Sequence, residues 1–505
     1  MSAAEGRDAR TIEAAIDRIG PVVAAAVAAA LEGAEAPLRG RIVRLLGRWA
    51  ATQPELVEPL LGALEGPDAK AQRNAIIALG KLDDPRIPPA LLGLAATEAR
   101  LPHLRSLADA LGKLGGEAAL AWLRALDDRG DPELARIRGR AARIAERSLR
   151  RETAGPSLVD LDAAIEAPIF VELRCRRGLE ELLVDETRAR GILRDAALHA
   201  PGSIRGRVAA PSRLGALWEA RLALEVLFPL AARRGPELRV IVDALADREL
   251  RARLRRWTRG PLRYRLDLDG GHRRAAVWRV AEAIAAAAPE LENDPTASAW
   301  EISARRHGPA LEVTLAAKAI DDPRFAYRRG DVPAASHPTI AAALARVATQ
   351  GAPLDAEAVV WDPFVGSALE LCERGLLGPY AALWGSDVDA RALEVAAANL
   401  GAAGLARHHL RSGDARTTRI PGGVSLILSN PPLGRRVHRG EAQDLLCAAL
   451  PNLAANLRKG GLLVWITPDP RRTRGAAEAA GLRLERDLRV DLGGFAGTVE
   501  RWRRR

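Results

Sequence analysis

Several things are scarce in this chain of 505 residues: three cysteines, one methionine and an aromatic content of 4%. Cys175, Cys372 and Cys447 are far apart, so neither a disulfide framework nor a thiolate zinc site is expected. The eight histidines show no ligand pattern, and the adjacent His408 and His409 point to opposite faces of a strand. The expectation is therefore no metal and a reducing, cytoplasmic compartment. Long apolar runs are lacking as well. The eleven residues from Pro21 to Leu31 fall far short of the ~20 that a membrane span needs, so no membrane partner is expected. Neither GxxxxGK[ST] nor GxGxxG occurs, which argues against a P-loop and a dinucleotide pyrophosphate site.

Lysine is scarce too, with Lys70, Lys81, Lys113, Lys318 and Lys459 only; the formal net charge of +11 is carried by arginine. Hydrophobic residues make up 48%, enough for a sizeable core of Ala, Leu and Val. At roughly 150 residues per domain, about three domains are predicted.

Residues 1–150 read as paired helices with a repeat. Leu46-Gly47, Leu79-Gly80 and Leu111-Gly112 recur in RGRIVRLLGRW, QRNAIIALGKL and HLRSLADALGKLGG, each with apolar residues at helical spacing and then a glycine read as a stop. PELVEPLLGALEG and EAALAWLRALDD read as partner helices. Two helices per unit at a period near ~30 predict a solenoid. The pattern resembles HEAT repeats, about four of them, and implies a docking surface for a protein partner or RNA.

Residues 151–167, polar and containing Gly-Pro, read as a linker. Short strand and helix patterns then alternate to about residue 318, among them a hairpin from Ala299–Ala304 through His307-Gly308-Pro309 to LEVTLAA. From Arg248 to Arg279 there are eleven arginines against Glu249, Asp267 and Asp269, with Trp257, Tyr264 and Trp278 interleaved. Guanidinium groups pair with phosphates and aromatics offer stacking platforms, so RNA binding is expected here through Arg251, Arg253, Arg255, Arg256, Arg273 and Arg274. Residues 168–318 resemble a THUMP module with a preceding ferredoxin-like piece, through Arg177-Gly178-Leu179-Glu180-Glu181-Leu182, LRYRLDLDGGHRRAAVWRVAEAIA and Asn293-Asp294-Pro295. The resemblance implies a grip on structured RNA.

Residues 319–505 hold the candidate chemistry. EAVVWDPF, AALWGSD, HHLRSGD, VSLILSN and LLVWITP read as strands separated by helices, which predicts a parallel sheet covered on both faces. Ligands in such sheets bind beyond the carboxyl ends of the strands, where Asp362, Asp387, Asp414 and Asn430 fall. Gly366 permits close approach of backbone to a ligand, Asp387 suits the hydroxyls of a ribose, and Asp414 suits an adenine amino group. With no phosphate motif, an adenosine ligand without phosphates fits best, S-adenosylmethionine being the common one. Ser429-Asn430-Pro431-Pro432-Leu433-Gly434 resembles the NPPY motif of amino-group methyltransferases acting on bases. An exocyclic amine is a poor nucleophile. An Asn oxygen and the following Pro carbonyl accept its two N–H bonds and favour the developing positive charge.

The order of these segments, with FAYRRGDVPAASHPTIAAALARVA, WDPFVGS, GSDVD and NPPLG, resembles THUMP-containing, S-adenosylmethionine-dependent RNA guanine-N2 methyltransferases. It implies Asp362, Gly366 and Ser367 at the methionine end of the cofactor, Asp387 at the ribose, Asp414 at the adenine, and Asn430, Pro431 and Leu433 at the target base. Ser336-His337-Pro338-Thr339 would open a helix over the site. Two positions depart from the family pattern. Gly366-Ser367-Ala368-Leu369 replaces a glycine-richer run, with crowding of the methionine carboxylate as the expected consequence, and Leu433 stands where an aromatic is usual; Phe325, Tyr327 and Phe364 are the candidate substitutes. The expected fold is thus multidomain, α plus α/β: a HEAT-like solenoid, a central ferredoxin-like/THUMP module and a C-terminal Rossmann-like methyltransferase domain. The expected function is methylation of guanine N2 in tRNA or rRNA. The alternatives are a non-catalytic RNA-binding scaffold with a degenerate methyltransferase domain, and a DNA amino-methyltransferase.

Overall fold

The computed structural model describes residues 21–270, 274–333, 335–351, 355–433 and 439–505. The chain divides into two compact units, Met1–Gly155 and Pro156–Arg505. Among the described residues no helix is long and apolar enough to cross a membrane.

The first unit is helical: α1 (Ala36–Trp49), α2 (Val57–Glu65), α3 (Ala69–Leu79), α4 (Ile87–Thr97), α5 (Leu101–Leu114), α6 (Glu117–Ala125) and α7 (Pro132–Ala154). Asp68 and Asp131 cap α3 and α7, accepting from the backbone N–H groups of Lys70, Ala71 and Leu134, and so satisfy donors that a helix start leaves open. The sequence reading passed over α4, whose Pro88 and Pro89 sit in the first turn, where a missing N–H costs nothing. Two of the three recurring glycines are not helix stops, since Gly47 and Gly112 lie inside α1 and α5, whereas Gly80 does cap the end of α3. A Cβ on Gly47 would come within 2.5 Å of Ala78 Cβ, on Gly80 within 2.8 Å of Ala110 Cα, and on Gly112 within 2.7 Å of Ala141 Cα. The repeat therefore marks a seam where α1, α3, α5 and α7 approach one after another, small residue against small residue.

The second unit begins inside the segment read as a linker, and that reading is corrected. Helix α7 runs to Ala154, Leu158–Val159 pairs with Thr258–Arg259, and Ala164–Ile165 pairs with Ser212–Arg213. Ile165 is 1% exposed, so burial of its side chain holds the segment to the body. The unit contains two sheets. The first comprises β1 (Ile169–Arg174), β2 (Leu193–Ala200), β3 (Ser203–Val208), β4 (Glu225–Arg233), β5 (Arg263–Leu268), β6 (Glu292–Asn293), β7 (Trp300–His307) and β8 (Ala310–Ala317), in the order β6-β5-β7-β8-β4-β1-β3-β2. Helices α8 (Arg248–Trp257) and α9 (Arg274–Ala287) belong to this part. The hairpin β7–β8 turns at Gly308, whose φ of +57° suits a residue without a side chain.

The second sheet comprises β9 (Val359–Asp362), β10 (Ala382–Asp387), β11 (His408–Ser412), β12 (Val424–Ser429), β13 (Leu457–Thr467), β14 (Leu482–Asp491) and β15 (Ala496–Arg504), in the order β11-β10-β9-β12-β13-β15-β14. Helices α10 (Pro338–Thr349), α11 (Leu369–Leu377), α12 (Ala390–Ala402) and α13 (Arg439–Asn456) accompany it. The first five strands in that order are parallel, as expected. The expectation of an all-parallel sheet is corrected at one edge, where β15 runs antiparallel to β13 and β14. Sequence reading missed this hairpin, in which charged residues are interleaved with the apolar ones along both strands.

The two sheets are bound together at Gly178, which has φ +94° and whose hypothetical Cβ would collide with the Arg489 carbonyl oxygen. Asp491 N donates to Arg177 O at 3.0 Å beside it. The buried Glu186 carboxylate accepts from Arg221 N and Leu222 N, both at 2.9 Å, and from Arg346 of α10 at 2.7 Å.

Candidate functional site

Beyond the carboxyl ends of β9, β10 and β12 lies a cavity of about 750 Å³. Gly366, Ser367, Asp387, Asp414, Asn430, Pro431 and Leu433 all line it. The strand order explains the convergence: β9 and β12 are neighbours at the middle of the sheet, so the loops after β9, β10 and β12 open to one side.

Asp387 ends β10 half-buried. Its Oδ2 accepts from Gly366 N and its Oδ1 from Asp389 N, both at 3.0 Å. These bonds fix the carboxylate while leaving lone pairs for a ligand hydroxyl. Asp414 is differently placed. Arg416 holds both of its oxygens, from 2.5 to 3.0 Å, and its hydrogen bonds lower the pKa of the carboxyl below the usual carboxylate value. That end of the cavity is an ion pair, not a free anion.

Asp362 is corrected from a lining residue to a buried one. It is fully buried at the end of β9; Oδ1 accepts from Ser429 Oγ at 2.6 Å and Phe364 N at 3.0 Å, and Oδ2 has no partner. It ties the loop after β9 to the loop after β12. Burial, then the nearby Glu370 carboxyl, raise its pKa well above the usual carboxylate range.

Asn430 follows β12. Its Nδ2 donates to Ser336 Oγ at 2.6 Å, and its Oδ1 is buried without a partner. Asn430 lines the cavity, and a buried acceptor without a protein partner is one that a ligand N–H would satisfy. Ser336 in turn bonds Glu370 Oε1 on α11. His337 caps α10 as the sequence suggests, its Nδ1 accepting from Thr339 N. Burial and then Arg176 depress its pKa to about 4, so the ring is neutral near pH 7.

Sequence reading missed Glu370, Val332, Leu445, Leu492 and Phe495, all of which line the cavity. Only spacing on α11 pointed to Glu370, which sits in an otherwise apolar turn; Phe495 arrives from the unread hairpin. Crowding by Ala368 and Leu369 is not found: both are fully buried in the core. The departure shows instead in the backbone, since Ala368 takes φ +60°, a conformation costing an L-residue ~1–2 kcal/mol. Of the candidate substitute aromatics, Phe364 lines the cavity beside Leu433. Phe325 instead lies under Arg221 and Arg324, and Tyr327 donates to Glu373 at 2.5 Å.

The arginine cluster is not a free cationic face. Arg251 and Arg255 share Glu290 at 2.9 and 2.7 Å, Arg253 pairs with Glu249 at 2.5 Å, and Arg256 with Glu166 at 2.6 Å. Carboxylates distant in sequence supply much of this pairing, which local charge counting cannot see. Trp257 and Tyr264 are buried and are not stacking platforms, whereas Trp278 on α9 is 63% exposed. Arg274 is exposed on the same helix; Arg273 lies outside the described residues. Glu172, His199 and Glu312 lie close enough to suggest a cation site, but Arg205 bonds both carboxylates and supplies the positive charge itself.

Residues 326–496 match a protein family described as RMKL-like, methyltransferase domain. The crystal structure of TrmN from Thermus thermophilus superposes with a TM-score of 0.54, at 23% identity, over 67% of this chain and 100% of that one. The C-terminal region has a methyltransferase fold. Residues 23–107 match HEAT repeats. Two curated proteins are similar to part of this chain. A tRNA (guanine(10)-N2)-dimethyltransferase of Methanothermobacter thermautotrophicus is 30% identical over 111 residues, 22% of this chain and 32% of that protein. A tRNA (guanine(6)-N2)-methyltransferase of Archaeoglobus fulgidus is 36% identical over 86 residues, 17% of this chain and 21% of that protein. The chain thus spans about a third and a fifth of the lengths of these two relatives.

Proposed function

We propose that this protein transfers a methyl group from S-adenosylmethionine to an exocyclic base amine of RNA, guanine N2 of a tRNA or rRNA. The observation that carries the reading is the buried, unpartnered Oδ1 of Asn430, a residue that lines the same cavity as Asp387. The two similar tRNA methyltransferases, which act at different positions, support the guanine-N2 class and leave the position open.

The residues present fit the cofactor. Asp387 would take the ribose hydroxyls, Gly366 and Ser367 the methionine end, and the loop at Asp414 the adenine. S-adenosylmethionine supplies an electrophilic methyl on a sulfonium sulfur. The Asn430 oxygen and the Pro431 carbonyl accept the amine's N–H bonds and stabilise the charge that develops on nitrogen. Phe364 and Phe495 offer aromatic surface in place of the usual side chain at Leu433. In this reading residues 168–318 form a THUMP-like RNA-binding part that contacts RNA through Trp278 and Arg274, the HEAT-like repeats dock a further partner, and the compartment is cytoplasmic.

Calorimetry with S-adenosylhomocysteine and single-turnover transfer of labelled methyl to total tRNA and rRNA test the reading. Asp387→Ala removes a charged acceptor worth ~1.5–3 kcal/mol and lowers affinity tenfold or more. Asn430→Ala abolishes transfer and leaves that affinity unchanged. A parent protein that does not bind S-adenosylhomocysteine would favour the non-catalytic scaffold.

A further inference from the structure

Asn430, Ser336 and Glu370 form a line of side chains running from the cavity wall to a buried carboxyl, joined across 94 and 34 positions of sequence. Glu370 is 4% exposed and reaches the cavity between the loop at Ser336 and the core. The direction of the bonds matters. An ionised carboxylate only accepts, so the single Ser336 proton must point at Glu370. Ser336 Oγ then presents lone pairs to Asn430, and only Nδ2 of the carboxamide can face it. A carboxamide turned over would set two oxygens against each other. Oδ1 is thereby left without a protein partner, on a residue that lines the cavity.

We propose that Glu370 is a positioning residue which, through Ser336, fixes the carboxamide of Asn430 with its acceptor toward the target amine. The inference rests on the proposed function for the identity of that amine, but the orientation of Asn430 is independent of it. Protonation of Glu370 undoes the arrangement. The acid becomes a donor to Ser336, the serine proton is released to turn toward Asn430, and both carboxamide orientations become possible.

The surroundings put this proton within reach of ordinary pH. Burial, and after it the Glu373 carboxylate, raise Glu370 to about 7 despite its bond from Ser336. Asp362 at the end of β9 is a second buried carboxyl that interacts with it. Glu373, on the same helix, is compensated by Arg221, and His337 at the start of α10 is neutral near pH 7. Asp387 at the end of β10 is bonded to backbone amides.

The test uses the full chain labelled with ¹⁵N-asparagine, whose six asparagines give few side-chain amide signals. Asn430→Ala identifies the signal of interest. The parent is expected to show the Asn430 amide pair shifting between pH 6 and 8 with a midpoint near 7, and E370Q and S336A are expected to abolish the shift. In methyl transfer, the parent kcat rises through the same pH range, E370Q flattens the profile, and S336A lowers kcat tenfold or more at pH 8 with the cofactor KM unchanged. An Asn430 signal that does not titrate in the parent, or titrates equally in S336A, overturns the inference even if the protein is an active methyltransferase. A parent that titrates as described but transfers no methyl group overturns the proposed function and leaves the positioning role standing. S336A retains the carboxyl, so it decides the matter if E370Q does not fold.

Discussion

Arg221 and Glu373 face each other in a two-point ion pair, Nε to Oε2 at 2.6 Å and Nη2 to Oε1 at 2.8 Å, with Glu373 1% exposed. Arg221 comes from the part of the unit built on the first sheet, and Glu373 from α11 behind the cavity. The Tyr327 hydroxyl donates to the same carboxylate. Arg221→Ala leaves that carboxylate buried and without its cation, a change that typically costs ~3–5 kcal/mol. Urea denaturation should show the loss. Replacing both partners with leucine should restore most of the stability, because the uncompensated charge is then gone.

The seam of small residues in the first unit makes a second prediction. Gly80→Ala forces a methyl group against Ala110 and should destabilise that unit by ~1–3 kcal/mol. Gly62 lies inside α2 with nothing within 4 Å of a hypothetical Cβ. Gly62→Ala should therefore stabilise by ~0.5–1 kcal/mol. Opposite shifts in thermal midpoint from the same substitution would separate contact from helix propensity.

RNA binding should follow exposure, not arginine count. Trp278→Ala removes a stacking surface worth ~1–3 kcal/mol per base and should weaken binding to tRNA measurably. Arg253→Gln and Arg256→Gln touch arginines already paired with Glu249 and Glu166, and should change affinity little. Filter binding across a salt series checks both, since a lost phosphate contact also flattens the salt dependence.

Folding stability should fall as pH rises from about 4.5 to about 7. The folded state holds the Glu370 proton up to about 7, whereas the unfolded chain releases it near the ordinary glutamate value of 4.5. Over that interval the native state binds more protons, so each pH increment favours unfolding, by up to about 3 kcal/mol in all. The contribution is fully present below the unfolded value. E370Q should remove much of this slope, and the raised Asp362 carboxyl, which has the same sign, should retain the rest. Denaturation midpoints at pH 5, 6, 7 and 8 measure it.

The sequence by itself determined what depends on local pattern. Alternating strand and helix segments after Asp362 specify a mostly parallel sheet, and polar residues closing those strands place Asp387, Asp414 and Asn430 at one mouth. The recurrence of Leu-Gly every 33 and 32 positions marks the repeat, although it took packing to show that all three glycines serve contact and that only Gly80 also ends its helix. Tertiary structure alone decided what depends on partners far away in the chain. Glu290 and Glu166 neutralise arginines that look free in a local count, and Trp257 and Tyr264 turn out to be core residues. Glu370 gains its meaning only because Ser336, 34 residues earlier, and Asn430, 94 residues beyond that serine, meet beside it. Charge and periodicity act along the chain and can be read there. Hydrogen-bond direction and burial arise between segments, and exist only once the fold has brought them together.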